Sequence, residues 1–229
     1  MAPMSDVYER LRSLIATGRV PPGMRMIEVE LARQLAVSRT PVREAMRRLA
    51  QEGWAHVVSA GAKTQIAVAP VTRADLVDLF GIIGALEGAA VRGVDALAPA
   101  ERRALAARLT RANNAFVTET RRRVRRFERF FSTHDAFHQL LVGATGSARS
   151  HALIASVRPQ VQRYEMIYAN AVGTDFSASL REHRAIIAAV RRGTADALEA
   201  AVRLNWSNSV KRLLKGSIAE GIGDYRMLR

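Results

Sequence analysis

Two sets of side chains in this sequence are spaced for chemistry. The first is Arg39 and Arg43, four residues apart within Ser38-Arg39-Thr40-Pro41-Val42-Arg43-Glu44. On a helix they share one face. A guanidinium donates bidentately to guanine, the commonest base-specific contact in the DNA major groove. Ser38 and Thr40 stand at the same helix start, where hydroxyls and the positive helix end suit phosphate. The second set is His134, His138 and His183. His134 and His138 are four apart, so both imidazoles can face one point, a spacing that suits a Zn- or Ni-like divalent ion. His183 falls on a different helix and can close a third vertex inside a bundle. The alternatives for this trio are polar lining of a small-molecule pocket, or histidines hydrogen-bonded in the core.

The elements that must position the arginines lie in the first 70 residues. Val7, Leu11, Leu14 and Ile15 share a helical face, with Ser5 as a possible cap, and Gly18 ends the helix. After the turn Pro21-Pro22-Gly23, residues 27–35 form a short helix. Ala36-Val37 is the bend, and Thr40 and Pro41 read as N-cap and first helical position of the next helix. Val42, Met46 and Leu49 give that helix an apolar face, and Gly53 stops it. Two β-like runs, 54–58 and 64–69, flank the small-residue turn containing Gly61 and Lys63, which reads as a hairpin. Gly61 allows the tip to approach a sugar-phosphate wall, and Lys63 can neutralise a phosphate. Helix, bend, helix and hairpin describe a winged helix-turn-helix, whose second helix enters the major groove by its N-terminal residues.

From Thr72 onward only helical periodicity appears. Thr72 with Asp75 resembles a capping box. Helices are expected to about Leu97, from Pro99 to Thr120, over 123–142 ending at Gly143, over 148–171, from Ser177 to Gly193, and from Thr194 to Lys215. The expected fold is therefore mainly α: a winged domain over 1–70 and an all-helical bundle of about six helices over 71–229.

Bulk composition agrees. The formal charge of +14 favours a polyanionic partner, nucleic acid ahead of an acidic membrane surface, although an Arg-rich chain kept merely soluble is the plain alternative. There is no cysteine, hence no disulfide or thiolate metal site. No run approaches the roughly 18 apolar residues of a membrane span, and the N-terminus lacks the pattern of an export signal. A cytoplasmic protein without a membrane partner is expected. The basic run from Arg121 to Arg126 reads as a solvated connector, and the stripe of Phe127, Phe130, Phe131 and Phe137 as core.

Pro22-Gly23, Leu31-Ala32, the stretch from Val37 to Ala45, Leu49, Glu52-Gly53 and Gly61 resemble the N-terminal domain of the GntR family over about residues 5–70. The resemblance implies transcriptional regulation, commonly repression, by a homodimer on a two-fold-related double-stranded DNA operator. It places Arg39, Thr40, Arg43 and Gly61 at DNA-contact positions. The helical part is similar to the FCD domain of that family's FadR branch, through Leu86-Glu87, Ala89-Ala90, Phe137-His138, Gly143, Glu182-His183, Ile186-Ile187, Ala189 and Gly193. That resemblance implies a cavity for a small carboxylate effector, often with a divalent metal held by Asp and His. Three positions depart from the family pattern. His134 stands where the family usually has aspartate, Asn205 where it has a last histidine, and Ile83 where an arginine often receives the effector carboxylate. Arg163, Tyr164 and Asn205 are the remaining effector-binding candidates, and Arg163 can replace the absent arginine or form a surface salt bridge instead.

The expected function is a sequence-specific DNA-binding regulator, a metabolite-responsive repressor and not an enzyme. Two rivals stand beside it. A metalloenzyme could use His134, His138 and His183 around an activated water, but no motif places a general base there. A non-specific architectural DNA-binding protein would lack operator discrimination.

Overall fold

The computed structural model describes residues 4–60, 63–122, 127–168 and 176–219. Helix α1 (Met4–Ala16) already includes Ser5, which therefore lies within the helix and not at its N-cap position. Helix α2 (Glu28–Leu35) ends at Ala36, which takes the left-handed conformation at φ 55°. The Ala36 and Val37 N–H groups then turn back onto the carbonyls of Arg33 and Ala32, which fixes the bend before α3. Helix α3 spans Arg39–Gln51, with Ser38 rather than Thr40 at the N-cap position. Pro41 thus lies in the first turn instead of opening it. The first four N–H groups of a helix have no intrahelical partner, so its missing donor costs nothing there.

Strands β1 (Ala55–Ala60) and β2 (Lys63–Val68) pair antiparallel, with Ala55 opposite Val68 and Ala60 opposite Lys63. Residues 24–26 run alongside β2: the Val68 N–H donates to the Met24 carbonyl and the Met26 N–H to Ile66. The wing is thereby tied to the start of α2. Val7, Leu11, Ile15, Leu31, Leu35, Val42, Met46, Leu49 and Trp54 close one apolar core around these elements. Each apolar face foreseen from the 3.6-residue period packs inward.

Six helices follow: α4 (Arg73–Val91), α5 (Pro99–Thr120), α6 (Phe127–Thr145), α7 (Ala148–Tyr168), α8 (Ser177–Arg192) and α9 (Ala195–Ala219), with a 3-10 turn at Arg92–Ala96 after α4. The Thr72 hydroxyl accepts from the Asp75 N–H and caps α4. Gly143 does not end α6, which continues to Thr145. Gly193, at φ 74°, does end α8. Helices α4 and α9 pack so closely that a Cβ on Gly84 would sit 3.0 Å from the Trp206 Cβ. A second apolar core, from Val71 to Leu213, fills the bundle.

Helix α7 touches both halves. The Arg163 guanidinium donates to the Ala69 and Pro70 carbonyls. The Tyr164 hydroxyl donates to Asp75 at 2.5 Å and accepts from the Thr72 N–H at 3.2 Å. Gln160 lies against Gly53, just beyond α3, where φ is 76° and a Cβ would come 2.6 Å from the Gln160 side chain.

Candidate functional site

At the head of α3, Arg39 and Arg43 meet on one carboxylate. Arg39 Nε donates to Glu28 Oε1 at 2.8 Å; Arg43 donates from Nε to Oε2 and from Nη2 to Oε1, both at 2.9 Å. Glu28 opens α2, so the carboxylate spans the two helices of the motif. The hydrogen bonds from Arg43 and then Arg39 hold the Glu28 carboxyl down to about 2. The arginines themselves stay exposed, their side chains 61% and 47% accessible. Ser38 and Thr40 are exposed beside them. Arg47 turns back to Glu44, and Arg48 to Glu52. Gly61 lies outside the described residues; Lys63 is placed by its strand pairing with Ala60. Sequence reasoning missed Glu28, whose partners are 11 and 15 residues away on another helix.

Inside the bundle, α6 and α8 bring His134, His138 and His183 together, with one ring nitrogen of each within 4.8 Å of the others. Each imidazole is held from behind through Nδ1. His138 donates to Glu87 Oε2 at 2.8 Å and His183 to Asn113 Oδ1 at 3.0 Å, while His134 lies 3.4 Å from Glu165 Oε1. Glu87 is fixed in turn by the Trp206 indole N–H at 2.8 Å. The His183 ring stacks on Phe137 at 4.1 Å between centroids. The Nε2 atoms of His138 and His183 are buried without a hydrogen-bond partner among the described residues. Burial pushes His183 well below the ordinary imidazole range, with positive charge on His134 and His138 acting in the same sense. Burial also lowers His134, against the pull of Glu165. Neutral rings with Nε2 lone pairs free are the form that binds a metal, and orienting Nδ1 acceptors are its usual outer shell.

Charge points the same way. Glu87, Asp135 and Glu165 are buried around one buried guanidinium, Arg158. Arg158 Nε donates to Asp135, and Nη2 lies 4.0 Å from Glu165. Burial opposes ionisation of Glu87, but charge on His138, its hydrogen bond and Arg158 outweigh it and hold the carboxyl below its ordinary value. Glu165 is likewise held low against burial, chiefly by Arg158. Acidic side chains thus gather behind the imidazoles with Arg158 as the fixed cation among them, surroundings that suit a divalent cation held by the rings. The histidine cluster can therefore hold a metal ion.

The other candidates fall elsewhere. Arg163 and Tyr164 line neither cavity beside the histidines; both clamp the segment between the two cores, because they project from the face of α7 turned toward Ala69–Asp75. Asn205 is buried but donates to Glu182 Oε2 at 2.8 Å, a carboxylate also gripped by Arg212. Ile83 is core. One cavity is walled by Phe80, Phe116, Phe130, Phe131 and Phe176 beside His134. The other is lined by Glu87, Asp135, His138 and Arg158. Among the described residues no helix is long and apolar enough to cross a membrane.

A winged helix-turn-helix joined to a six-helix bundle with an internal polar centre defines a class of DNA-binding regulators that carry a small-molecule-binding domain. Residues 3–62 match the gntR family of bacterial regulatory proteins and residues 78–207 match the FCD domain. The chain belongs to the GntR family, with an FCD domain, and is a transcriptional regulator rather than an enzyme. It is 40% identical over 87 residues to an HTH-type transcriptional regulator in the TAR-I ttuE-ttuC' intergenic region of Agrobacterium vitis, a match spanning 38% of this chain and 49% of that protein. It is 31% identical over 207 residues to an HTH-type transcriptional regulator in an unstable DNA locus of Streptomyces ambofaciens, covering 86% and 79% of the two chains. The E. coli McbR/YncC structure shares the fold with a TM-score of 0.66 at 19% identity, over 94% of this chain and 99% of that one.

Proposed function

We propose that the protein is a metabolite-responsive repressor acting as a cytoplasmic homodimer, with residues 1–70 as its operator-binding unit and 71–229 as its effector-binding and dimerisation unit. Arg39 and Arg43 read base edges, and Ser38, Thr40, Gly61 and Lys63 meet the sugar-phosphate backbone. Repression is the sign the family resemblance implies, and a homodimer matches the two-fold logic of helix-turn-helix operators.

His134, His138 and His183 would hold a divalent ion, Zn or Ni, which would supply a Lewis-acidic partner for the carboxylate of a small effector. The observation that carries this reading is the shared design of the trio: two buried imidazoles and a half-buried one, each backed at Nδ1, with one ring nitrogen of each within 4.8 Å of the others. His134 takes the place of an acidic ligand, and Glu165 behind it returns the missing negative charge one layer out. Asn205 is engaged with Glu182 and is not needed as a ligand. Helix α7 couples the halves, since Glu165 backs His134 while its neighbours Arg163 and Tyr164 hold the segment leading to the winged head. An effector acts only if its affinity differs between the two arrangements.

Elemental analysis of protein purified without a His-tag tests the metal. About one Zn or Ni per chain, bound or taken up on loading, is expected; none retained after loading rules the site out.

A further inference from the structure

We infer that the cavity between α6 and α7 is a seat for a small aliphatic amino acid in its zwitterionic form, with the carboxylate on Arg158 and the ammonium on Glu87 beside Asp135. The seat needs no ion, so it goes beyond the metal site proposed above and does not rest on it. The cavity has a volume of about 240 Å³. That is below the roughly 300 Å³ at which pockets for drug-sized ligands begin, so a small metabolite fits. Glu87, His138 and Arg158, at 1%, 1% and 6% exposure, form a buried polar floor. Gly143 on α6 and Ala155 on α7 are exposed and mark the mouth. A Cβ on Gly143 would meet no atom within 4 Å, so that side is open.

The floor is short of partners. Arg158 Nε donates to Asp135, which fixes the plane of the guanidinium. Nη1 and Nη2 are buried and have no hydrogen-bond partner among the described residues; Glu165 Oε2, 4.0 Å from Nη2, is too far to accept. The Trp206 ring, 5.3 Å away, attracts the charge but leaves the Nη hydrogens unused. Two buried donors side by side are costly until an acceptor arrives, and a carboxylate matches their fork bidentately. Charge decides what else the ligand carries. A plain anion would meet Glu87 and Asp135 in the same wall, two carboxylates against one guanidinium, and the sum is repulsive. A plain cation would leave both Nη atoms as unpartnered as before. A zwitterion answers both needs and adds no net charge to a buried floor. Glu87 has room for the ammonium, because His138 and Trp206 both donate to Oε2 and neither uses Oε1. Asp135 is engaged by Arg158 and Gln139 and contributes its charge. Val142 and Ile154 supply apolar wall for an aliphatic side chain. Arg158 lies on the helix whose Arg163 holds the Ala69 and Pro70 carbonyls, so a ligand here acts on the link to the winged head.

The test is calorimetric titration of the full-length protein, as purified and after loading with Zn, with L-leucine, with isocaproate, which lacks the ammonium, and with isoamylamine, which lacks the carboxylate. Leucine is expected to bind at least about tenfold more tightly than either analogue in both states. Arg158→Lys keeps the charge but loses the fork, and should weaken leucine by about tenfold or more. Gly143→Leu narrows the mouth, leaves every floor group in place, and should weaken it by a similar factor. Isocaproate or isoamylamine binding as tightly as leucine, or unchanged affinity in Gly143→Leu, overturns the inference. So does no leucine binding in either state, which would mean that water alone meets Arg158. Leucine binding only to Zn-loaded protein would put the carboxylate on the ion, overturning this seat and leaving the metal site standing. If no metal is retained and the ranking holds, the seat stands without the metal site. If Arg158→Lys does not fold, Gly143→Leu and the wild-type ranking still decide.

Discussion

The winged head and the effector centre use one device in opposite surroundings. In the head, Glu28 orients Arg39 and Arg43 at a surface where water competes for every bond. In the bundle, Glu87, Glu165 and Asn113 orient His138, His134 and His183 away from water. An exposed ion pair contributes little to stability, so the head can exchange Glu28 for base edges or phosphates at small cost. A buried polar centre with unpartnered atoms is expensive unless a ligand completes it. The head is therefore set up for reversible contact with a large polyanion, and the core for a small ligand held tightly.

The largest effect should come from the core. His183→Ala removes one of three ligands and is expected to abolish retention of Zn or Ni through gel filtration, measured as metal per chain; near-stoichiometric metal in this variant would show that the ion sits elsewhere. Arg43→Ala comes next. Losing a bidentate base contact costs about 1–3 kcal/mol, roughly 5- to 150-fold, on the correct operator but not on random DNA. Equal weakening on both, measured by fluorescence anisotropy on a selected site, would make Arg43 a phosphate contact. Glu28→Gln should have a smaller and different effect. Its loss frees two guanidiniums, so non-specific DNA binding should tighten by a few-fold while operator discrimination falls by a few-fold. Unchanged discrimination would mean that the pair orients nothing. The carboxyl of Glu28 is depressed, so the pairing it provides is complete above its unbound value near 4.5 and is lost as pH falls toward about 2. Discrimination should consequently not vary with Glu28 protonation between pH 6 and 8.

The same contrast explains what could be read before folding. The reading helix was legible because Val42, Met46 and Leu49 keep a helical period, and the histidine pair because a spacing of four fixes a shared face. Glu28 was not, since its partnership depends on how α2 crosses α3, and no local spacing encodes that angle. The helix start was misplaced by two residues for a local reason: proline is tolerated anywhere in the first turn, so Pro41 marks the turn but not its first position. Arg163 shows the limit most clearly. Helix α7 carries arginines at 158 and 163, and five residues turn a helix by well over a full revolution onto another face. Arg158 faces the acidic residues behind the histidines, and Arg163 faces the segment between the two cores. Choosing between them needed the packing of α7 against both neighbours.

That packing leads to the smallest expected effect. The Tyr164 hydroxyl both donates to Asp75 and accepts from the Thr72 N–H, at the first turn of α4. Burial, followed by the hydrogen bond to Asp75, raises its pKa well above the phenol range, so it stays protonated at every working pH. Tyr164→Phe keeps the ring in the core and removes the hydroxyl that makes these two bonds. The Thr72 N–H would then lack its partner, and a net loss of about 1 kcal/mol is expected, seen as a lower midpoint in urea with an unchanged slope. Metal retention should be untouched, because the hydroxyl faces away from the imidazoles. Operator affinity without effector should also hold, since no group of the reading helix has changed. What should shift is the effector concentration needed to release DNA, because Tyr164 sits next to Glu165 on the helix that joins the two regions. If the stability falls but that concentration does not move, α7 serves only as scaffold, and coupling between the buried centre and the exposed head runs through another contact.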